Sequence, residues 1–527
     1  MDMAWIDVAA APELDAQGKL VVRHEGRQIL LMSTPAGLFA CVNRCPHEGY
    51  PLREGTLSQD GGGCVLTCNW HNWKFDLATG ETLVGGDRLR RFPIRRQDAR
   101  IEIEIVPDKA AERRAGILQG LARALHDDDQ QRQVREMARL LHLGLDPLDG
   151  IRHAIHWVHD RLEFGTTHAI AAAPDWLMLA KGAVPEDALI AYGEILGHVS
   201  DDARDRGRYP FAEGGCAWDA ASFAAAIEAQ DEAAAIKLMR GGLAVPLSPD
   251  DWRRVLAEVA LAHYADFGHA LIYAMKSVDL VLTLGPGVAE PLLSMLVRSF
   301  CFAAREDLLP EFRSYAAQLK AWGQPDRPAE IFTAAAFHKT SARSAMATVR
   351  GWSALAGCQF IWPILIETAA WQLLHMDEAK FRRDDLSLAD NANRLDLTHA
   401  LTFAEAGTEA AARSPELWPS IQLQLACFIG RNCRHVDGGQ DVTGFTVSDP
   451  AAFFARERAA LFDHGSARFI ISAHLIKTLS AAERLAGQHP ALSPLLAAAL
   501  NRLLHEPLKE RHIKRTARQM LDLVAQE

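Results

Sequence analysis

Over its first hundred positions the chain sets apolar and polar residues in short runs broken by glycine or proline. After about residue 112 it adopts the three- and four-residue apolar rhythm of helices, rich in alanine and leucine. KLVVRHEG (19–26), RQILLMSTPAG (27–37) and GLFACV (37–42) predict strands separated by turns. KFDLATGET (74–82), LRRFPI (89–94) and ARIEIEIV (99–106) predict more; the last alternates isoleucine with glutamate as a half-buried or edge strand does. The pair of glycines at 85–86 and PDKAAERRAG (107–116) read as turn and linker. Predicted helices include QVREMARLLHLG (133–144), IRHAIHWVHDRLEFG (151–165), WRRVLAEVALAHYADFGHALIYAM (252–275) and FIISAHLIKTLSAAERLAG (469–487). Between them lie breakers such as GLDPLDG, GRYPFAEGGC, LGPGVAEP, GQPDRP and HVDGGQDVTG. No fixed period recurs, which disfavours a solenoid. The pattern predicts a multidomain chain: an all-β domain over 1–108 and a large all-α domain over 112–527.

With 527 residues, 49% hydrophobic and 23% charged, the composition is that of a globular protein with an ample core. A net charge of −11 argues against a nucleic-acid binder and fits small-molecule chemistry or a basic redox partner. The opening MDMAWIDVAAAPELD carries acids where a secretory leader has bases, and it lacks an apolar stretch. The longest apolar run, HALIYAMKSVDLVLTL, is interrupted by Lys276 and Asp279, so no membrane span is expected. A cytoplasmic, reducing setting follows, in which nine thinly spread cysteines are not a disulfide framework.

Two short motifs change the picture. CPH at 45–47 and CNWH at 68–71 each place one thiol beside one imidazole. A two-iron, two-sulfide cluster needs that donor set, with the thiolates of Cys45 and Cys68 on one iron and the imidazoles of His47 and His71 on the other. Structural zinc is the competing occupant, but zinc fingers pair like with like, and here each motif is mixed. On these motifs, with Gly49 after the first histidine and KFDLATGE after the second, residues 3 to about 106 resemble a ferredoxin-type Rieske domain. The resemblance implies a [2Fe–2S] cluster held by those four residues. The high-potential members carry an extra cysteine in each loop; CPHEGY and CNWHNW have none, which implies the lower-potential electron-transfer class. Asn69 and Asn72 depart from the usual Cys-Pro-x-His-Gly loop, and SQDGGG (58–63) reads as an insertion at a hairpin tip. Asparagine tolerates left-handed backbone, so Asn72 can stand where relatives have glycine.

A one-electron carrier leaves the chemistry to the helices. Glu258, His263 and His269 come nearest to a two-histidine, one-carboxylate iron site, yet on one helix the two histidines point some 120° apart, so sharing a metal requires a break, for which Gly268 is suited. Asp266, His269 and Tyr273 share a stripe on a largely apolar helix, flanked by Glu258 and Lys276; such a stripe faces either a cavity or a satisfied core network. Asp266–His269 and Asp396–His399 share the Asp-x-x-His spacing at about the frequency that composition alone gives. His156, His159 and Glu163 border an apolar arc and read either as a metal site or as a solvated edge. His168, His338 and His399 each sit among small residues, where a ligand can approach closely.

TTHAIAAAPDWLMLAKGA, YADFGHALIYAMKSVDLV, FHKTSARSAM and LTHALTFAEA resemble, in order, histidine-bearing segments of questin oxidase-like proteins, helical oxygenases of polyketide quinones. This implies site residues His168, His269, His338 and His399, joined by Tyr273 from the polar stripe. No nucleotide-binding fingerprint, P-loop or nucleophile elbow is present. The expected protein is therefore a monooxygenase- or dioxygenase-like oxidoreductase. A separate NAD(P)H-dependent reductase or ferredoxin feeds its cluster, and a histidine-lined site, with a second iron as a possible occupant, acts on an aromatic or polyketide-like substrate. The alternative is a non-catalytic electron carrier whose helices are a docking scaffold.

Overall fold

The computed structural model describes residues 5–60, 63–105, 110–323, 332–388, 391, 393–507 and 513–525. It separates into two compact units, Met1–Gly150 and Ile151–Glu527.

The first unit runs β1 (Trp5–Ala10), α1 (Ala11–Gln17), β2 (Lys19–His24), β3 (Arg27–Thr34), β4 (Gly37–Val42), β5 (Thr56–Asp60), β6 (Gly63–Thr67), β7 (Lys74–Asp76), β8 (Thr82–Val84), β9 (Arg91–Phe92), β10 (Ile94–Gln97) and β11 (Arg100–Glu104). These form three antiparallel sheets ordered β1-β11-β10, β2-β3-β4-β9 and β5-β6-β7-β8. Alternation in β11 buries Ile101 and Ile103 against β1 and leaves Glu102 and Glu104 partly open, as the pattern predicts. On β3, Ile29 and Leu31 face one core with Phe92 and Leu14, while Leu30 and Met32 face another with Leu66, Phe75 and both motif cysteines. Of the 58–63 insertion, residues 61 and 62 lie outside the described residues; its flanks pair as Asp60↔Gly63.

The composition changes near residue 110, but the compact unit continues to Gly150. Residues 110–116, expected as linker, begin helix α2 (Ala110–His126), which packs on α3 (Gln130–His142). Asp87, in the turn after β8, anchors α3: its carboxylate accepts from Arg132 Nε and Nη2 at 3.1 and 3.2 Å and also from Arg135.

Among its described residues the second unit is built of helices joined by loops, with two isolated β-bridges. At its centre four helices, His168–Ala180, His269–Leu284, Arg394–Arg413 and Phe469–Gln488, pack in a closed ring, each against the next. The segment 266–284 is long and apolar enough to cross a membrane by length and composition, and 67% of its most apolar 18-residue stretch is buried, as one wall of that ring. The predicted continuous helix over 252–275 is two helices. The first ends at Leu261, and Asp266, Phe267 and Gly268 all take positive φ (52°, 43° and 78°) before the second starts at His269. Glu258 and His263 thus leave the His269 stripe: His263 pairs with Asp307 and Glu228 at 3.0 and 2.6 Å. Likewise the helix carrying His156 stops at Val158, so Glu163 lies beyond it and pairs with Arg206.

Candidate metal centres

In the first unit the two motifs occupy the loops between β4 and β5 and between β6 and β7, and the loops fold alike. Cys45 N donates to Tyr50 O and Gly49 N to Cys45 O; in the second loop Cys68 N donates to Trp73 O and Asn72 N to Cys68 O. Gly49 (φ 75°) and Asn72 (φ 61°) hold equivalent left-handed positions, so Asn72 takes the turn that glycine takes in its counterpart. Asn69 braces the second loop, donating to Glu54 O at 2.7 Å and accepting from Thr56 Oγ1 at 2.9 Å.

The loops bring together Cys45 and Cys68, 3% and 1% exposed, with His47 and His71, whose Nδ1 atoms face each other at 3.1 Å. Burial and the neighbouring Cys68 push the Cys45 thiol up to about 12, so thiolate character there requires a bound cation. His47 stacks on Trp73 at 4.7 Å and His71 on Trp70 at 5.2 Å, fixing both rings. Two adjacent buried thiols and two convergent imidazoles fit a [2Fe–2S] cluster. All nine cysteines, Cys41 and Cys64 included, are free thiols.

In the second unit each ring helix contributes one histidine. His168 and His269 open their helices, and His399 and His474 lie in the second turn of theirs. His168 Nε2 is 3.2 Å from His269 Nε2, and His399 Nε2 is 3.4 Å from His474 Nε2. The rings of His269 and His399 are 4.4 Å apart and those of His168 and His474 4.7 Å. His269 Nδ1 donates to Asp266 O and His474 Nδ1 to Ile470 O, both at 2.6 Å, and His399 bonds the Asp396 carbonyl. A ring nitrogen that donates to a carbonyl carries the proton, which leaves its Nε2 a bare lone pair. Burial lowers the pKa of all four, keeping them neutral near pH 7. Bare lone pairs converging in a water-poor space repel unless a proton or metal ion lies between them, and this is the donor set of a histidine-bound transition metal. Tyr273 Oη lies 3.1 Å from His168 Nδ1 and orients that ring.

Below the histidines the same four helices supply Asp175, Lys276, Glu405 and Arg484. Lys276 Nζ donates to both Asp175 oxygens at 3.0 and 2.9 Å, and Arg484 bridges Asp175 and Glu405 at 2.8 Å each. Lys477, one turn from His474, is fully enclosed, and burial lowers its pKa to about 7.

Of the helical residues expected from sequence, His168, His269, Tyr273 and His399 come together. His338 lies apart, its ring stacked on Trp371 at 3.5 Å. His474 and Lys477 were missed; the available signal was a histidine flanked by small residues (Ser472, Ala473) on a helix already predicted.

A three-sheet β fold with paired cysteine–histidine loops defines an iron–sulfur electron-transfer module. Residues 4–89 match the Rieske [2Fe-2S] domain family. The ferredoxin component of the alkene monooxygenase system of Xanthobacter autotrophicus (strain Py2) is 31% identical over 108 residues, covering 20% of this chain and 85% of that protein. The ferredoxin component of the naphthalene 1,2-dioxygenase system of Pseudomonas aeruginosa is 26% identical over 107 residues, covering 20% of this chain and 99% of that protein. Among solved structures, the ferredoxin of carbazole 1,9a-dioxygenase from Nocardioides aromaticivorans IC177 is 19% identical, covering 19% of this chain and 96% of that one, at a TM-score of 0.18. Through its N-terminal module, this chain belongs to the Rieske [2Fe-2S] family, and it is an electron-transfer protein with a [2Fe–2S] cofactor.

Proposed function

We propose that the protein is an oxygenase that joins its own electron-transfer module to a histidine-bound metal centre in the helical unit, with an aromatic or polyketide-like organic substrate. The observation that carries this reading is the convergence of neutral imidazoles: ligand atoms of His168, His269 and His399 lie within 4.8 Å of one another, His474 Nε2 is 3.4 Å from His399 Nε2, and Nδ1–H bonds to backbone free the Nε2 atoms of His269 and His474. Cys45, His47, Cys68 and His71 would hold the [2Fe–2S] cluster; His168, His269, His399 and His474 would hold the second metal. When bound, the cluster carries single electrons and the helical metal supplies the electron exchange with dioxygen. Tyr273 fixes the His168 ring through its hydroxyl, and the closed ring of helices buries His399 and His474 and leaves His168 and His269 partly open. Electrons come from a separate NAD(P)H-dependent reductase or ferredoxin. The order of histidine-bearing segments shared with questin oxidase-like proteins supports the substrate class.

Metal analysis of anaerobically purified protein tests this reading. Iron is expected in excess of the roughly two per chain that the cluster needs. The excess should vanish in His269→Ala/His474→Ala while the cluster's visible spectrum persists. Cluster iron alone, with no oxygen uptake under any reductant, would sink the metal-dependent oxygenase and leave the carrier-with-scaffold reading.

A further inference from the structure

The chain as a whole is acidic, at −11. Beside the first cluster loop its charge is reversed. A recess of about 620 Å³ opens next to Cys45, Pro46 and His47, and five arginines line it: Arg44, Arg88, Arg90, Arg135 and Arg139. Glu48 is the one carboxylate among its lining residues. Arg44, Arg88, Arg90 and Arg139 are exposed. Arg88 and Arg139 keep local partners, Glu81 at 2.8 Å and the buried Glu136 at 2.7 Å, which hold the guanidiniums in place. Arg135, fixed by Asp87, donates to the carbonyls of Pro46 and His47, so the recess is joined by hydrogen bonds to the loop that carries a cluster ligand. Both Arg135 and Arg139 come from α3, which follows the eleven strands of the β domain.

We propose that this arginine-lined recess is the docking surface for an acidic one-electron donor protein, which seats a carboxylate-rich face beside His47. The proposal rests on reading residues 45–71 as the electron-carrying centre. Charge complementarity selects the partner, because planar guanidiniums bind carboxylates bidentately. It also selects orientation: an acidic donor is repelled by the average surface of this chain and attracted at this arginine-lined face. His47 and His71 have side chains 21% and 37% exposed, so a docked donor comes close to the imidazole side of the centre. The cluster held by Cys45, His47, Cys68 and His71 would take up the single electron that the reduced donor gives up, with no bond made or broken.

The full-length holoprotein can be titrated with a plant-type [2Fe–2S] ferredoxin, an acidic protein of lower potential, measuring both affinity and the bimolecular rate of cluster reduction. Wild type is expected to bind at low salt, with affinity and rate both falling as salt rises. Arg88→Glu/Arg90→Glu/Arg139→Glu should weaken both about tenfold or more, and the milder Arg88→Gln/Arg90→Gln covers the case in which the triple variant misfolds. Arg96→Glu, on β10, should stay within about twofold. The proposal is overturned if wild type fails to bind at low salt, if binding ignores salt, or if the recess variants match Arg96→Glu. Reduction by dithionite reports separately on the centre: a protein that yields no reduced-cluster spectrum with that reagent refutes the underlying reading instead.

Discussion

Gly268→Ala is the sharpest probe of how the helical centre is built. Gly268 ends the turn that delivers His269, at φ 78° and ψ −1°. A left-handed conformation costs alanine roughly 1–2 kcal/mol relative to a relaxed one. The new Cβ would also lie 2.8 Å from the rings of both Phe403 and Phe428, each fully buried and unable to retreat. Overpacking of that kind adds about 1–3 kcal/mol. The sum is about 2–5 kcal/mol, and relief by shifting the turn moves His269 and its 2.6 Å bond to Asp266 O. Gly182→Ala is the matched control, since Gly182 has the same φ of 78° with nothing within 4 Å of a Cβ. Urea unfolding should show the control losing about 1–2 kcal/mol. The test variant should lose more, and it alone should lose metal from the helical centre. Equal stabilities with equal metal content would refute both the packing argument and the role of the turn.

His474→Ala should abolish helical-centre metal while His338→Ala retains it, read by elemental analysis against unchanged cluster absorbance. Asp175→Asn leaves Lys276 and Arg484 sharing Glu405 in a buried layer and should cost about 3–5 kcal/mol in urea unfolding, partly restored by adding Lys276→Met; a loss below about 1 kcal/mol would contradict it. Acidification should destabilise the chelated protein. The folded-state pKa values of His168, His269, His399 and His474 lie below 6.5, so below pH ~6.5 the unfolded chain binds more protons and stability falls with pH, by up to about 4 kcal/mol for four sites between pH 6.5 and 5.5. His399→Leu/His474→Leu should roughly halve that slope. Asn72→Gly should fold with its cluster intact, whereas Asn72→Val should lose it, because φ is 61° there.

The two centres differ in how far the sequence discloses them. Cys45 and His47, or Cys68 and His71, are neighbours along the chain, and one local turn sets each pair. The donor set is therefore written in two short strings, and even the odd Asn72 explains itself through its backbone. In the helical unit the four histidines come from helices about 75 to 130 residues apart, and only packing of those helices closes the ring. Their setting among small residues was a real signal, since small neighbours let helices approach. It is not a selective one: His338 shares that setting, yet a short turn places its ring on Trp371.

The buried charges were harder still to read. Lys276 alone looks like a break in an apolar run, and Asp175, Glu405 and Arg484 look like ordinary surface residues of alanine-rich helices. Their meaning lies in register. Asp175 and Lys276 each follow the histidine of their helix by seven residues, Glu405 by six and Arg484 by ten, so all four helices run in the same sense through two polar layers roughly 10 Å apart. Two carboxylates and two cations close the lower layer to zero net charge, which lets it be buried without a counter-ion from above. The histidine layer is left with neutral donors beside Lys477, whose own charge burial weakens by lowering its pKa to about 7. That division of charge is what a metal-binding layer needs, and it is a property of four aligned helices that no single segment carries.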